Sequence, residues 1–427
     1  MKWNSSLIGA LVVVLFVLIT FPLAHAHPAS WNDMARVAAI ESLVERGTWA
    51  IDDASWVEET KDKILLDGKF YSDKMPVFTV IGAGVYAGLR LVAPNVSLAP
   101  ACAACAYPWL VRLLVALPAA LALALMFDFA RRQNVPVWIA GVGTLTLGIG
   151  TMLFPFSTVL NHHVPAAGAV WASFYLLATR RADRRAIFCA GVLAALALSF
   201  DVLAGVVAAT VGGIAVLRLR RDLVFFALGG VIPLAFTALF DYQIAGTLLP
   251  PYTVTNGYAY PGSAFPATFA GNGTPDDYAA YAFRMFLGGK GLFAFNPLLL
   301  LAFAGAVRVA LTRRHPLRLE AVSVALGFIF LCAYLATQTG NYGGQAYGER
   351  WFIPAIPLVG AFIFFAPPLD GKHPWLWLAF APLLIISAIS SWQGAQAPWQ
   401  DHLPVLQMTR DVNKFPYLGF RWNLRLP

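Results

Sequence analysis

WNDMARVAAIESLVERGTWAIDD at residues 31–53 and KDKILLDGKFYSDKMP at residues 61–76 lie between the first apolar segment and the next. In a chain with only 12% charged residues, much of the charge outside short loops gathers here. Asp33, Arg36, Asp73 and Lys74 stand beside apolar sequence, where a charge is costly and is kept for function rather than packing. The helical recurrence of Ala35, Ala38, Ser42 and Leu43 predicts an amphipathic helix over 31–46, which Gly47 stops. Asp33 and Arg36, three residues apart, share one face of it. Ile64-Leu65-Leu66 and Lys69-Phe70-Tyr71 flank Asp67-Gly68, a strong hairpin signal, so Tyr71, Asp73 and Lys74 fall on or just after the second strand. The expectation is a helix and a hairpin on the membrane surface that present these polar groups together.

Around this stretch the 427 residues are 59% hydrophobic, with a mean hydropathy of +0.66 and apolar runs from end to end. That makes the chain an all-α polytopic membrane protein. The net charge of +8 does not point to nucleic acid, because Lys and Arg fall mostly in short runs between apolar segments, where the positive-inside rule puts them. Following those charges predicts about eleven transmembrane helices, with the N-terminus inside and the C-terminus outside. The domain plan is a transmembrane domain over 1–391, with a first outer loop at 27–108 and a long outer loop at 241–290, and then an extracytoplasmic tail over 392–427. The first apolar segment, at 6–23, is read as an uncleaved helix, although Ala24-His25-Ala26 also resembles a signal-cleavage site. Residues 77–92 are read as an interfacial or re-entrant helix. Cys102 and Cys105 fit a disulfide or half a metal site, but in an Ala-rich run the expectation is two small residues at a helix contact. Cys189 and Cys332 read as packing.

This topology sends Asp33, Arg36, Tyr71, Asp73, Lys74, His162, His163, Asp201, Tyr342, Tyr347, Glu349 and Arg350 to the outer side. The motifs D-M-A-R, Y-S-D-K-M-P and N-Y-G-G-Q-A-Y-G-E-R-W-F resemble the membrane glycosyltransferases of the C superfamily, above all protein O-mannosyltransferases and lipid A aminoarabinose transferases. The resemblance implies an inverting transfer of a sugar from a polyprenyl-phosphate carrier to a hydroxyl on the extracytoplasmic face. The acceptor would be a glycolipid, a polysaccharide or a protein, and the location a bacterial plasma (inner) membrane with a periplasmic site. It also implies that Asp33 is the general base and that Lys74 contacts the carrier phosphate. Three places depart from the family pattern: Met34 replaces a second acid, Met75 replaces the first proline after the lysine, and Asn161-His162-His163 stands where family members often carry a second Asp in the next outer loop.

The chemistry is sensible for these residue types. A carboxylate takes the proton of an acceptor hydroxyl as the new bond forms, and fixed cations stabilise the charge that grows on a departing phosphate. Lys74, Arg36 and Arg350 are the candidate cations, with Arg350 able to grip phosphate through two donors. Tyr71, Asp73, Tyr342 and Tyr347 are candidate donor contacts, and apolar grooves between spans would hold the prenyl chain. His162 and His163 with Asp201 or Glu349 offer substrate contacts or a divalent-metal set, but adjacent histidines do not share a helix or strand face, so a solvated or hydrogen-bonding role is expected. The sequence establishes no cofactor. A transporter or flippase and a lipid-linked glycan polymerase or ligase are the rival classes; against the first, no internal repeat is visible, and against the second, the long late loop at 241–290 holds Arg284 and little else basic. Acceptor choice is placed in 252–281, with the tail and its Trp399 folding back over it.

Overall fold

The computed structural model describes residues 5–266, 277–338, 341–366 and 377–401. Part of the long outer loop and most of the tail, with Gly340 and Trp422, lie outside the described residues. The order is α1 (Ser5–Thr20), α2 (Trp31–Glu45), β1 (Lys63–Leu66), β2 (Lys69–Ser72) and α3 (Pro76–Val92). Next come α4 (Tyr107–Arg132), α5 (Val137–Ile149), α6 (His163–Arg180), α7 (Arg184–Phe200), α8 (Val202–Leu219) and α9 (Leu223–Ala245). The chain continues with α10 (Tyr278–Phe286), α11 (Leu299–Leu311), α12 (Arg318–Gln338), α13 (Arg350–Phe365) and α14 (Trp377–Gln396).

Among the described residues three helical runs are long and apolar enough to cross a membrane: α4, the run Val202–Ala245 and α12. Arg220, at φ 50, breaks the second run into α8 and α9. Several other helices are apolar but shorter, so only part of the expected set of eleven spans is established by length and composition. Exposed side chains repeat along single helix faces, as in Leu7, Leu11, Val14 and Leu18 of α1 or Val224, Leu228 and Val231 of α9. Such stripes are a liability in water and the natural contact for lipid.

Helix packing relies on missing side chains. A Cβ on Gly191 of α7 would lie 1.9 Å from the Phe226 carbonyl oxygen of α9, and one on Gly229 of α9 would lie 2.1 Å from that of Phe188. Small residues let two backbones approach this closely where no hydrophobic force between helices drives them together. On another side of the bundle the Arg218 guanidinium grips Glu320 through two contacts of 3.0 and 2.8 Å, tying α8 to α12.

The hairpin forms as the sequence predicts, with Leu66 opposite Lys69. Asp67 and Gly68 both take positive φ, which suits a two-residue primed turn. Helix α2 differs from expectation in its surroundings. Ser30 caps it through a capping box with Asp33, and Gly47 ends it at φ 66, yet it is interior rather than superficial. Asn32, Asp33, Ala35, Arg36 and Val37 are all buried. The reason is cover: the hairpin packs on one side, and Ile40 sits against Gly82 of α3 on another. The connector after α3 folds in too, where the Trp56 indole donates to the Leu98 carbonyl at 2.7 Å. The Leu65 amide donates to the Gly257 carbonyl at 2.7 Å, so the loop that follows α9 completes the hairpin edge.

Three further readings are corrected. Cys102 and Cys105 form a disulfide rather than a helix contact; the run is a turn, so their Cα atoms come within 5.2 Å, which suits the bond. Asp241 belongs to α9, which continues to Ala245, and not to the loop after it. Helix α14 runs on to Gln396, past the expected boundary at 391. Helix α1 packs on α4 and α5 as a member of the bundle.

Candidate active site

Asp33 is fully buried at the first turn of α2. Its Oδ1 accepts from the Ser30 amide at 2.7 Å, the Ser30 hydroxyl at 2.8 Å and the Met34 amide at 3.1 Å. Its Oδ2 accepts from the Ala29 amide at 3.1 Å, the Tyr107 hydroxyl at 2.9 Å and the Trp399 indole at 3.1 Å. Burial raises the Asp33 pKa above its ordinary value, and the donors from Ala29, Ser30 and Tyr107 work against that rise.

One turn along α2, Arg36 is also buried. It reaches Asn32 Oδ1 at 3.4 Å, lies over the Phe78 ring at 5.4 Å and touches His162 Nδ1 through Nη2. Its Nη1 is buried with no acceptor among the described residues. Burial lowers its pKa to about 10, against the pull of Asp73, Asp201 and Asp62, so the group keeps its charge at neutral pH. Arg350, just after the glycine-rich loop, has a buried Nε that likewise lacks an acceptor. Gly343 makes room for it: at φ 80 it takes the left-handed conformation glycine tolerates, and its Cβ position lies 3.3 Å from Arg350 Cγ. Arg350 and Arg36 are within electrostatic reach of each other and of Asp201 and Asp62.

The third cation, Lys74, is held by two acids. Its Nζ lies 2.5 Å from Asp62 Oδ2 and 3.0 Å from Asp73 Oδ1. The Tyr258 hydroxyl donates to Asp73 Oδ2 at 2.9 Å. Burial raises the Asp73 pKa and Asp62 adds to the rise, while Lys74 opposes it.

His162 and His163 are buried rather than solvated, and take the hydrogen-bonding role that was the other half of the expectation. They meet because His162 precedes α6 and His163 opens it, so the rings converge at a helix end with centroids 3.9 Å apart. His163 Nδ1 lies 2.8 Å and His162 Nε2 3.5 Å from the same Asp201 oxygen. Burial and Arg36 hold the His162 pKa well below its ordinary value, so the ring is neutral. With Arg36 donating to Nδ1, its proton sits on Nε2, facing Asp201. Burial works against the Asp201 charge, but the two ring donors keep it an ionised carboxylate. Asp201 also caps α8 through the Leu203 amide at 3.0 Å. Ligand atoms of His162, His163 and Asp201 lie within 4.8 Å of one another, as a divalent metal would need. The Arg36 charge against His162 and the protons between the rings and Asp201 oppose a cation there, so the residues fit a hydrogen-bonded relay better than a metal.

Other expected contacts fall elsewhere. Glu349 is fully buried, neither oxygen has a hydrogen-bond partner, and burial raises its pKa to about 8. Tyr71 stands apart from the group: it pairs with Ile64 in the hairpin and its acidic neighbours are Asp52 and Asp67. Tyr347 is a packing residue whose hydroxyl donates to Ser390 Oγ at 3.0 Å and whose ring meets Phe295 edge-on. Tyr342 stacks on Tyr281 with centroids 4.0 Å apart. The sequence reading missed Asp62, Tyr107 and Tyr258 as members of the site. Ser30 was legible, since Ser30-x-x-Asp33 is a capping-box pattern.

No family model matches the chain, and no curated protein does. Among solved structures, ArnT from Cupriavidus metallidurans bound to undecaprenyl phosphate superposes with a TM-score of 0.58 at 15% identity, over 91% of this chain. The apo form gives 0.55 at 16% identity over the same share. The chain has the fold of ArnT. At this level of identity the likeness is one of fold. The match covers 64% of ArnT, so this chain spans about two thirds of that protein's length.

Proposed function

We propose that the protein is an inverting glycosyltransferase that moves a sugar from a polyprenyl-phosphate carrier to a hydroxyl acceptor on the extracytoplasmic face of the plasma membrane. The observation that carries this reading is the pair of buried guanidiniums, Arg36 and Arg350, each with an N–H lacking an acceptor, in the same charged cluster as a buried carboxylate at Asp33. A buried donor without a partner costs free energy, and an anion that arrives with the substrate removes that cost. The ArnT structure that shares the fold is bound to undecaprenyl phosphate, which supports the same class of ligand here.

In this reading the donor phosphate binds between Arg36 and Arg350, with Lys74 nearby. Asp33 accepts the proton of the acceptor hydroxyl as its oxygen attacks the anomeric carbon from the face opposite the phosphate. The bond from that carbon to the phosphate oxygen breaks, the electron pair leaves with the polyprenyl phosphate, and the cations stabilise the added charge. An apolar groove of about 610 Å³ runs between α8 and α12, lined by Val202, Val206, Thr210, Gly213, Leu326 and Phe330. It lies beside the charged cluster rather than in it, and its upper end, at Val202, adjoins Asp201. This is the natural bed for the prenyl chain.

The test is transfer of radiolabelled sugar from a panel of polyprenyl-phosphate donors by purified protein in detergent. Wild type should turn over at least one donor, and folded Asp33→Asn and Arg350→Gln variants should lose the transfer. A wild type inert to the whole panel, or variants as active as wild type, would overturn the reading.

A further inference from the structure

Asp33 is saturated. A carboxylate offers about four lone-pair positions, and the donors named above already exceed that number. An acceptor hydroxyl reaches Asp33 only if one of them leaves. Ala29, Ser30 and Met34 belong to the capping turn of α2 itself. The Tyr107 hydroxyl is pinned a second time by the Leu160 amide, which donates to it at 3.1 Å.

Trp399 is different, because it reaches Asp33 from 366 residues away on the short strap that follows α14. The Arg350 guanidinium lies 5.1 Å from its ring, and Phe156 meets it edge-on at 5.5 Å. The ring therefore stands between the carboxylate and one of the phosphate-binding cations, where the transferred sugar has to sit. The strap is fastened mainly from outside the site. The Tyr347 amide donates to the Pro398 carbonyl at 2.9 Å, and Lys290 Nζ lies 2.5 Å from Asp401 while also donating to the carbonyls of Gly344 and Ala346. The Asp401 side chain is 62% exposed, so the fastening is one that water and salt weaken.

We propose that Trp399 is a displaceable gate on the general base: its indole N–H fills the position on Asp33 that the acceptor hydroxyl takes, and donor phosphate at Arg350 releases it. A phosphate competes directly with the ring for the Arg350 guanidinium, because a charge-assisted contact outweighs a cation–π one. Donor then binds before acceptor, and a closed gate keeps water from the base until a sugar is in place. Trp399 acts through Asp33 and is a positioning residue. The inference rests on the glycosyltransferase reading for the identity of the ligand, but not for the gate itself.

Two measurements test it on the full chain in detergent. The first is modification of Asp33 by dicyclohexylcarbodiimide, followed by mass spectrometry, with Asp33→Asn as the blank. Lys290→Ala, which unfastens the strap, and Trp399→Ala, which removes the ring, should each raise the labelling rate by about tenfold, the factor that loss of one hydrogen bond to a charged group brings. The second is the response of that labelling to undecaprenyl phosphate, which should raise the wild-type rate toward that of the variants and leave Trp399→Ala unchanged; a merely structural role would give no response in either. Unchanged labelling in folded variants overturns the gate. Raised labelling in a protein whose wild type turns over no donor upholds the gate and overturns the glycosyltransferase reading.

Discussion

Lys74→Ala tests whether the lysine is held for structure, for phosphate or for both. Its ammonium lies 2.5 Å from Asp62 and 3.0 Å from Asp73, and the three side chains are only 15%, 12% and 8% exposed. Screening by solvent is therefore small, and removing the lysine leaves two carboxylates close together in a buried site. Breaking a buried pair in this way costs about 3 to 5 kcal/mol. The matched change Asp62→Asn removes one of those charges, so Lys74→Ala with Asp62→Asn should recover part of the loss, with a coupling of about 1 to 3 kcal/mol. Reversible unfolding in mixed micelles, followed for wild type, both single variants and the double variant, gives the cycle. Transfer assays on the same four proteins separate the second role: the double variant should be folded but still poor, because no cation replaces Lys74 beside the leaving phosphate. Additive stability effects would refute the ion-pair account. Recovery of turnover along with stability would refute the phosphate role.

Two further outcomes follow from single sites. Glu349 has a pKa raised by burial from 4.5 to about 8, so its neutral form belongs to the folded state: the stability it contributes is full below about pH 4.5 and is lost as pH rises through about 8. Glu349→Gln should leave the thermal midpoint unchanged in acid and raise it relative to wild type above pH 8; parallel curves would sink the assignment. Gly229→Leu puts side-chain atoms where the Phe188 carbonyl lies 2.1 Å from a Cβ. It should cost at least the 1 to 3 kcal/mol typical of overpacking, about that or more, read as a lower yield of monodisperse protein; a wild-type yield and midpoint would mean that α7 and α9 are not packed as described.

Much of the bundle was legible because lipid imposes simple rules. Apolar runs of sufficient length, separated by arginines, mark helices, and Asp67-Gly68 between short apolar strands can hardly be anything but a hairpin. The acids and bases of 31–76 were legible for a related reason: charge beside apolar sequence is too costly to be incidental. The misreadings came from contacts between distant segments. Helix α2 is buried because other loops cover it, which its own periodicity cannot disclose. His162 and His163 converge only because a helix starts between them. Asp62 looked like one more charge in a polar connector until the fold set it against Lys74. Trp399 reaches Asp33 across almost the whole chain, and no local pattern marks that contact. Tyr71 and Tyr347 were chosen by residue type, but the acids beside the first are Asp52 and Asp67 and the second is packed against Phe295.

The backbone crossing at Gly191 and Gly229 bears on how the molecule can move. Two helices in such contact, each carbonyl lodged where the other's side chain is missing, cannot slide or roll without collision. Helices α7 and α9 therefore travel as one slab. Asp201 follows the last residue of α7 and Asp241 lies one turn from the end of α9, so any rearrangement carries both carboxylates as a unit and keeps their separation constant. Opening of the site is thereby left to parts that are fastened by side chains, the strap and the outer loops, while the slab serves as the fixed wall against which they close.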